Sequence, residues 1–227
     1  MKKIGIVSWP VGENSFGITT PYLEWLDMFG QVRILDYSED FDPSIDLLVL
    51  PGGPDVDSAR YGQKPNRRTG KPCPFREYFD EHILPTYIDN FVPTFGICRG
   101  FQSLNVFFNG TLNQHYVHET NDPRKRWEEV HNIEYKVSEN NKITTYTAGV
   151  NSIHHQIIDK VGEGLKVIAR HKSPKSNKTT TVEALIHTNL PVAMVQFHPE
   201  ELLYNHLANS LIKDLLDNFN HEKYLEV

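Results

Sequence analysis

The chain has 227 residues, 39% hydrophobic, 23% charged and 11% aromatic, with a formal net charge of -6. That acidic balance argues against a general nucleic-acid binder, and no stretch approaches the roughly 20 apolar residues of a membrane span. Two cysteines, Cys73 and Cys98, make no disulfide framework, and no zinc-ligand spacing accompanies them. The apolar run before Pro10 is too short for a secretory signal, so a single domain over 1–227 in a reducing cytoplasm is the expectation, with no metal, cofactor or membrane partner.

Lys3 to Ser8 is β-branched and apolar and predicts a first strand. Pro21 opens a helical pattern with Tyr22, Leu23, Trp25, Leu26 and Phe29 on its apolar side, ended by Gly30. Val32 to Leu35 reads as a second strand, and Leu47 to Leu50 as a third, fully apolar and therefore central. Alternation of strand and helix across short connections predicts a parallel sheet covered on both faces.

The third strand runs straight into Pro51-Gly52-Gly53-Pro54-Asp55. A plain turn would account for this segment. Glycines at the carboxyl end of a buried strand also let backbone N–H groups approach a ligand closely. From Asp57 to Pro74 follows a loop without periodicity that carries Arg60, Lys64, Arg67, Arg68 and Lys71. It is either a solvated surface or a binding loop for an anionic or phosphate-bearing part of a substrate. Cys73 reads as incidental. Arg76 to Asn90 predicts a helix with Tyr78, Phe79, Ile83, Tyr87 and Ile88 inward.

The most informative stretch is Phe91 to Gly110, FVPTFGICRGFQSLNVFFNG. A short apolar run ends at Ile97, and Phe101, Leu104, Asn105 and Phe108 then recur at helical spacing until Asn109-Gly110 stops the helix. Gly96-Ile97-Cys98-Arg99-Gly100 is thus a G-x-C-x-G turn between strand and helix, the thiol counterpart of a nucleophile elbow. Such a bend lifts the sulfur to the sheet rim and sets it at a helix N-terminus, where the dipole favours thiolate. A buried structural cysteine is the competing reading. The bend lies at the same sheet edge as the Pro-Gly-Gly-Pro segment. Backbone N–H groups of Gly53 and Arg99 are therefore candidates for an oxyanion hole.

Beyond the elbow helix, Thr111 to Val117 reads as extended and Asn121 to Glu129 as an exposed charged connection with Arg124, Lys125 and Arg126. Asn132 to Val137 alternates like a half-buried strand, and Thr144 to Val150 is ambiguous. In Asn151-Ser152-Ile153-His154-His155-Gln156 the adjacent histidines point different ways, so at most one faces a site. A structural turn and a substrate-contacting turn both fit. Leu165 to Ala169, Val182 to His187 and Val192 to Phe197 predict further strands, the last two an antiparallel pair. The final strand ends in His198-Pro199-Glu200, where residues two apart in an extended segment share a face and a carboxylate can hold an imidazole. Glu201 to Phe219 predicts an amphipathic helix, with a frayed tail to Val227.

Pro51-Gly52-Gly53, Cys98-Arg99-Gly100-x-Gln102, Gly110-Thr111-Leu112, Asn151-Ser152-x-His154-His155-Gln156 and Val195 to Glu200 together resemble the class I glutamine amidotransferase superfamily. The elbow and double-histidine motifs resemble its gamma-glutamyl hydrolase branch. The resemblance implies a flavodoxin-like α/β fold, a three-layer sandwich with a mostly parallel central sheet. It implies Cys98, His198 and Glu200 as a triad, Gly53 and Arg99 as oxyanion hole, and Gly52, Gln102, His154 and His155 around the glutamyl moiety. Gln114-His115 departs from the Gln-Asp that relatives often carry after Gly-Thr-Leu. The implied reaction is hydrolysis of a small gamma-glutamyl amide through a glutamyl thioester. The substrate would be gamma-glutamyl-GABA-like or nucleotide-linked, such as a gamma-glutamyl-CDP-amidate of polysaccharide modification, with Arg67 and Arg68 gripping phosphate. The alternative is a glutaminase subunit that feeds ammonia to a separate synthetase. A non-enzymatic module would carry an unreactive Cys98.

Overall fold

The computed structural model describes residues 1–12, 15–116, 123–172, 180–202 and 205–227. The amino-terminal half comprises β1 (Lys3–Val7), a hairpin of β2 (Trp9–Gly12) and β3 (Ser15–Gly17), α1 (Thr20–Asp27), β4 (Gln31–Leu35) and β5 (Leu47–Leu50). Next, α2 (Pro74–Tyr78) continues through a π-helical turn at Phe79–Ile83 into α3 (Leu84–Asp89). β6 (Thr94–Ile97), α4 (Arg99–Phe107) and β7 (Thr111–Asn113) follow. The remaining elements are β8 (His131–Glu139), β9 (Lys142–Val150), β10 (Ile157–Lys160), β11 (Leu165–Lys172), β12 (Thr180–His187), β13 (Val192–Val195), α5 (His206–Asp217) and β14 (Tyr224–Leu225).

The main sheet runs β14-β8-β11-β12-β13-β6-β5-β1-β4, with β9 paired to β8. β4, β1, β5, β6 and β13 are mutually parallel, and everything from β12 outward is antiparallel. The strand period explains the layering. Along β5, Leu47 and Val49 join the core built by Trp25, Leu26, Leu207 and Leu211, whereas Leu48 and Leu50 join Phe79, Tyr87, Phe101 and Leu104. Helices α1 and α5 therefore cover one face, and α2 to α4 the other. This is the three-layer sandwich with a mostly parallel centre that the sequence predicts, and β5 is interior as expected.

Several segments differ from expectation. The ambiguous stretch before Val150 is a nine-residue strand, β9, in a long hairpin with β8. The expected helix from Glu201 is instead a 3₁₀ turn at Pro199–Glu201 followed by α5, which starts only at His206 because the Asn205 side chain accepts from Ala208 N–H. Leu203 lies outside the described residues, as do Val117 and residues 121–122. The tail does not fray. Tyr224–Leu225 forms β14 against β8, and buried Tyr224 donates to Asp214 Oδ2 at 2.6 Å. A two-residue strand has no periodicity of its own, so pairing and one buried aromatic ring make it. Among the described residues, no helix is long and apolar enough to cross a membrane.

Candidate active site

Cys98 stands between β6 and α4 with φ 50° and ψ -101°, a conformation that costs a non-glycine residue on the order of 1–3 kcal/mol. The neighbours enforce it. A Cβ on Gly100 would lie 2.0 Å from the Leu50 carbonyl oxygen, and one on Gly96 would lie 2.8 Å from the Gly100 carbonyl. The glycines let helix, turn and β5 close to backbone contact, and the strain tips the thiol out of the strand line. Cys98 N–H donates to Val195 O at 2.9 Å, and Cys98 O accepts from Gln102 N–H at 3.0 Å. The elbow is thereby tied to the strand that leads to His198.

That strand brings the second half of the site. β13 and β6 are neighbours, in register at Val195 and Ile97, so the residues just beyond them emerge side by side. His198 Nδ1 lies 2.6 Å from Glu200 Oε1, and the Cys98 sulfur is near enough to favour charge on the imidazole. The expected geometry needs one correction: His198 and Glu200 do not lie on an extended segment. The strand ends at Val195, and Glu200 sits in the 3₁₀ turn that starts at Pro199. Burial opposes charge on His198, but Glu200 and the Cys98 sulfur together hold its pKa well above the usual histidine value.

Two residues that the sequence left unassigned complete this arrangement. Asn151 clamps the His198 backbone on both sides, accepting from His198 N–H at 2.8 Å and donating to His198 O at 2.9 Å. Tyr22, read only as a helix core residue, accepts from Gly52 N–H at 2.9 Å and places its hydroxyl 3.4 Å from His198 Nδ1. Burial, followed by Glu200, pushes the Tyr22 pKa well up, so the phenol stays protonated. Gly52 packs against the imidazole, where a Cβ would come within 2.7 Å of His198 Cε1.

Gly53 and Arg99 are adjacent: a Cβ on Gly53 would lie 3.9 Å from Arg99 Cδ. Neither backbone N–H has a hydrogen-bond partner among the described residues. The Arg99 side chain points away, buried, pairing with Glu77 at 2.6 Å and with Asp80. Arg60 joins the same carboxylates, at 2.9 Å from Glu77 and 3.2 Å from Asp80. These contacts lock α2 beneath the elbow. A cavity of about 190 Å³ opens at the imidazole, lined among others by Trp9, Tyr22, Gly52, Gly53, Arg126 and His198. Arg126, expected on an exposed connection, thus reaches the cleft, its carbonyl held by Asn151 at 2.6 Å and its guanidinium 3.2 Å from Glu201.

The two histidines do diverge. His154 is buried with Nδ1 2.9 Å from Gln156 O, while His155 Nε2 meets Asp55 at 3.2 Å and its Nδ1 meets His115 at 3.2 Å. Gln102 Nε2 reaches Gln156 O and Gln196 Oε1, both at 3.2 Å. The basic loop folds against this side. Gly70 N–H donates to Asp55 at 2.6 Å and Asn66 N–H donates to Gln114 at 2.9 Å. Gln114 of the departing motif is therefore a buried anchor for that loop. Arg67 and Arg68 are exposed on it and make no ion pair among the described residues.

A strand–elbow–helix with a thiol at positive φ, on a mixed sheet of this order with a parallel centre, is the class I glutamine amidotransferase-like fold. A PurLQS structure from Thermotoga maritima shares it, with a TM-score of 0.65 at 14% identity over 96% of this chain and 99% of that one. The model of the Peptidase C26 family matches residues 36–200, and the chain belongs to that family. The protein Rv2859c of Mycobacterium tuberculosis, a glutamine amidotransferase by its name, is 35% identical over 202 residues, 80% of this chain and 62% of that protein. The chain thus spans less than two thirds of that relative's length. The gamma-glutamyl-gamma-aminobutyrate hydrolase PuuD of Escherichia coli is 28% identical over 196 residues, 80% of this chain and 73% of that protein.

Proposed function

We propose that this chain is a cysteine-dependent gamma-glutamyl hydrolase that releases L-glutamate from a small gamma-glutamyl amide. The observation that carries the reading is the meeting of Cys98, strained at the elbow, with the His198–Glu200 pair across two adjacent strands. Family membership and the activity for which PuuD is named support the same chemistry.

Cys98 as thiolate attacks the gamma-carbonyl carbon, and the carbonyl electron pair moves to oxygen, which meets the N–H groups of Gly53 and Arg99. Collapse breaks the C–N bond while His198 protonates the departing nitrogen, leaving a glutamyl thioester on Cys98. Neutral His198 then takes a proton from water, whose hydroxide adds to the thioester. Expulsion of the sulfur frees glutamate and restores the thiolate–imidazolium pair. Glu200 keeps the imidazole in the tautomer that faces the sulfur and stabilises its charge. Of the two diverging histidines, the less buried His155 is the one that would border the glutamyl moiety, with buried Gln102 and His154 supporting the turn from behind.

The leaving portion occupies the cleft beside His198, or extends to the basic loop if it carries phosphate. A nucleotide-linked substrate, such as a gamma-glutamyl-CDP-amidate, would give Arg67 and Arg68 a purpose. A panel of gamma-glutamyl amides tests this, with GABA-linked, nucleotide-linked and free-glutamine members and glutamate release measured against Cys98→Ala. Turnover confined to glutamine would replace the reading with that of a glutaminase subunit. Activity surviving Cys98→Ala would end it. Charge reversal at Arg67 and Arg68 should raise KM only for the phosphate-bearing member, and an unchanged KM there removes the loop's role.

A further inference from the structure

Arg76, on the first turn of α2, is wholly buried under the 51–53 segment. One Nη donates to Gly52 O at 3.2 Å and the other to Pro51 O at 3.1 Å. Its charge is handled differently from that of its neighbours. Arg60 and Arg99 pair with Glu77 and Asp80, whereas Arg76 forms no ion pair among the described residues and leaves Nε without a partner. Burial, and then the nearby Arg99 charge, bring its pKa down to about 10, so it remains a cation at neutral pH. A buried guanidinium that donates to two consecutive carbonyls, with Asp80 acting on it only from beyond ion-pair distance, is an expensive arrangement if its task is only to hold a turn.

Peptide geometry shows what those two bonds set. Both peptides are trans and planar, so each N–H points opposite to its own carbonyl. Holding Pro51 O fixes the Gly52 N–H, which donates to Tyr22 Oη at 2.9 Å and so reaches the His198 side of the site. Holding Gly52 O fixes the Gly53 N–H, the donor without a partner among the described residues. We propose that Arg76 is a positioning residue for acyl transfer, orienting and polarising the Gly52–Gly53 peptide so that its N–H receives the oxyanion of the tetrahedral intermediate. A cation on the carbonyl draws amide electron density toward oxygen and strengthens the N–H on the same peptide as a donor. The effect appears only as charge develops on the substrate oxygen, and Arg76 itself touches no substrate atom. This inference rests on the gamma-glutamyl hydrolase reading above.

The test compares a reaction that builds an oxyanion with one that does not, on the full chain. Hydrolysis of whichever gamma-glutamyl amide the wild type cleaves supplies the first, and alkylation of Cys98 by iodoacetamide, a displacement at saturated carbon, the second. Losing an oxyanion donor outright costs about 10²–10³ in kcat, so Arg76→Gln, which misaims the donor, should lower kcat about thirtyfold with KM within about threefold. Alkylation should stay within about threefold of wild type, since the thiol, imidazole and Glu200 are untouched. Arg76→Lys, able to hold one carbonyl, should recover part of the loss. An unchanged kcat in Arg76→Gln overturns the inference, and so does a fall in alkylation as large as the fall in kcat. If Arg76→Gln does not give a cooperative melt, Arg76→Lys is judged by the same contrast. A wild type that cleaves no gamma-glutamyl compound brings down the parent reading; an active wild type with an indifferent Arg76 brings down this inference alone.

Discussion

Gly52→Ala crowds the imidazole more closely than any other group in the site. The backbone tolerates alanine, because Gly52 is not among the positive-φ glycines. The obstacle is the neighbour. A Cβ would stand 2.7 Å from His198 Cε1 and 3.1 Å from Tyr22 Oη, where ordinary contact begins at 3.4 Å. Relief needs a retreat of about 0.7 Å by the ring. The ring is poorly placed to retreat, since Glu200 holds Nδ1 at 2.6 Å and Asn151 pins the backbone at 2.8 and 2.9 Å. Displacement of a reacting group by about 1 Å costs on the order of a hundredfold in rate, while overpacking of this kind destabilises by about 1–3 kcal/mol. Steady-state glutamate release should therefore show kcat reduced by about 30- to 100-fold with KM within about threefold. A thermal melt should show a shift of only a few degrees. Wild-type kcat in Gly52→Ala, or a loss matching the fraction unfolded, would refute the argument that the imidazole is held in place.

Glu200→Gln removes the first of the two groups that raise the His198 pKa, leaving the Cys98 sulfur alone against burial, which lowers it. The alkaline limb of the kcat profile, where the imidazolium loses its proton, should move to lower pH; an unmoved limb would assign that proton elsewhere. By the same linkage, the stabilisation that wild type draws from protonated His198 is complete below the unfolded histidine pKa and disappears as pH rises through the raised native value. Urea unfolding of Glu200→Gln should lose this pH dependence. Asn151→Ala strands the His198 N–H and carbonyl, and should cost about 3 kcal/mol in urea unfolding together with most of kcat. Tyr224→Ala should cost about 3 kcal/mol if β14 is an integral strand. A cost under about 0.5 kcal/mol would restore the picture of a loose tail.

The parallel centre was legible because its strands are continuous apolar runs and its helices carry one apolar stripe. The elbow was legible for a different reason. Gly96 and Gly100 bracket Cys98 at a point where the hydrophobic period changes directly from strand to helix. What the sequence hid are contacts that no periodicity encodes. Tyr22 and His198 are 176 residues apart, and a tyrosine on an apolar helical face gives no sign that its hydroxyl joins the Gly52 backbone to an imidazole. Arg76 looks like any polar residue opening a helix, because its target is main-chain carbonyl rather than a partner side chain. His198 and Glu200 were paired for an incomplete reason: a 3₁₀ turn, not strand alternation, brings the carboxylate round. The Asp57–Pro74 loop shows no pattern because polar anchors, Asp55 and Gln114, hold it in place of an apolar face.

The register between β6 and β13 has a consequence for how such a molecule can diversify. Cys98 and His198 inherit their spacing from a ladder of main-chain bonds between neighbouring interior strands. The β2–β3 hairpin, whose Trp9 lines the cleft, and the Asp57–Pro74 loop, anchored on Asp55 and Gln114, carry none of that ladder. Sequence drift or loop exchange at the rim can therefore reshape the cleft while the Cys98–His198 spacing stays as it is, and under the proposed hydrolase reading a transplanted loop should change selectivity before it changes turnover.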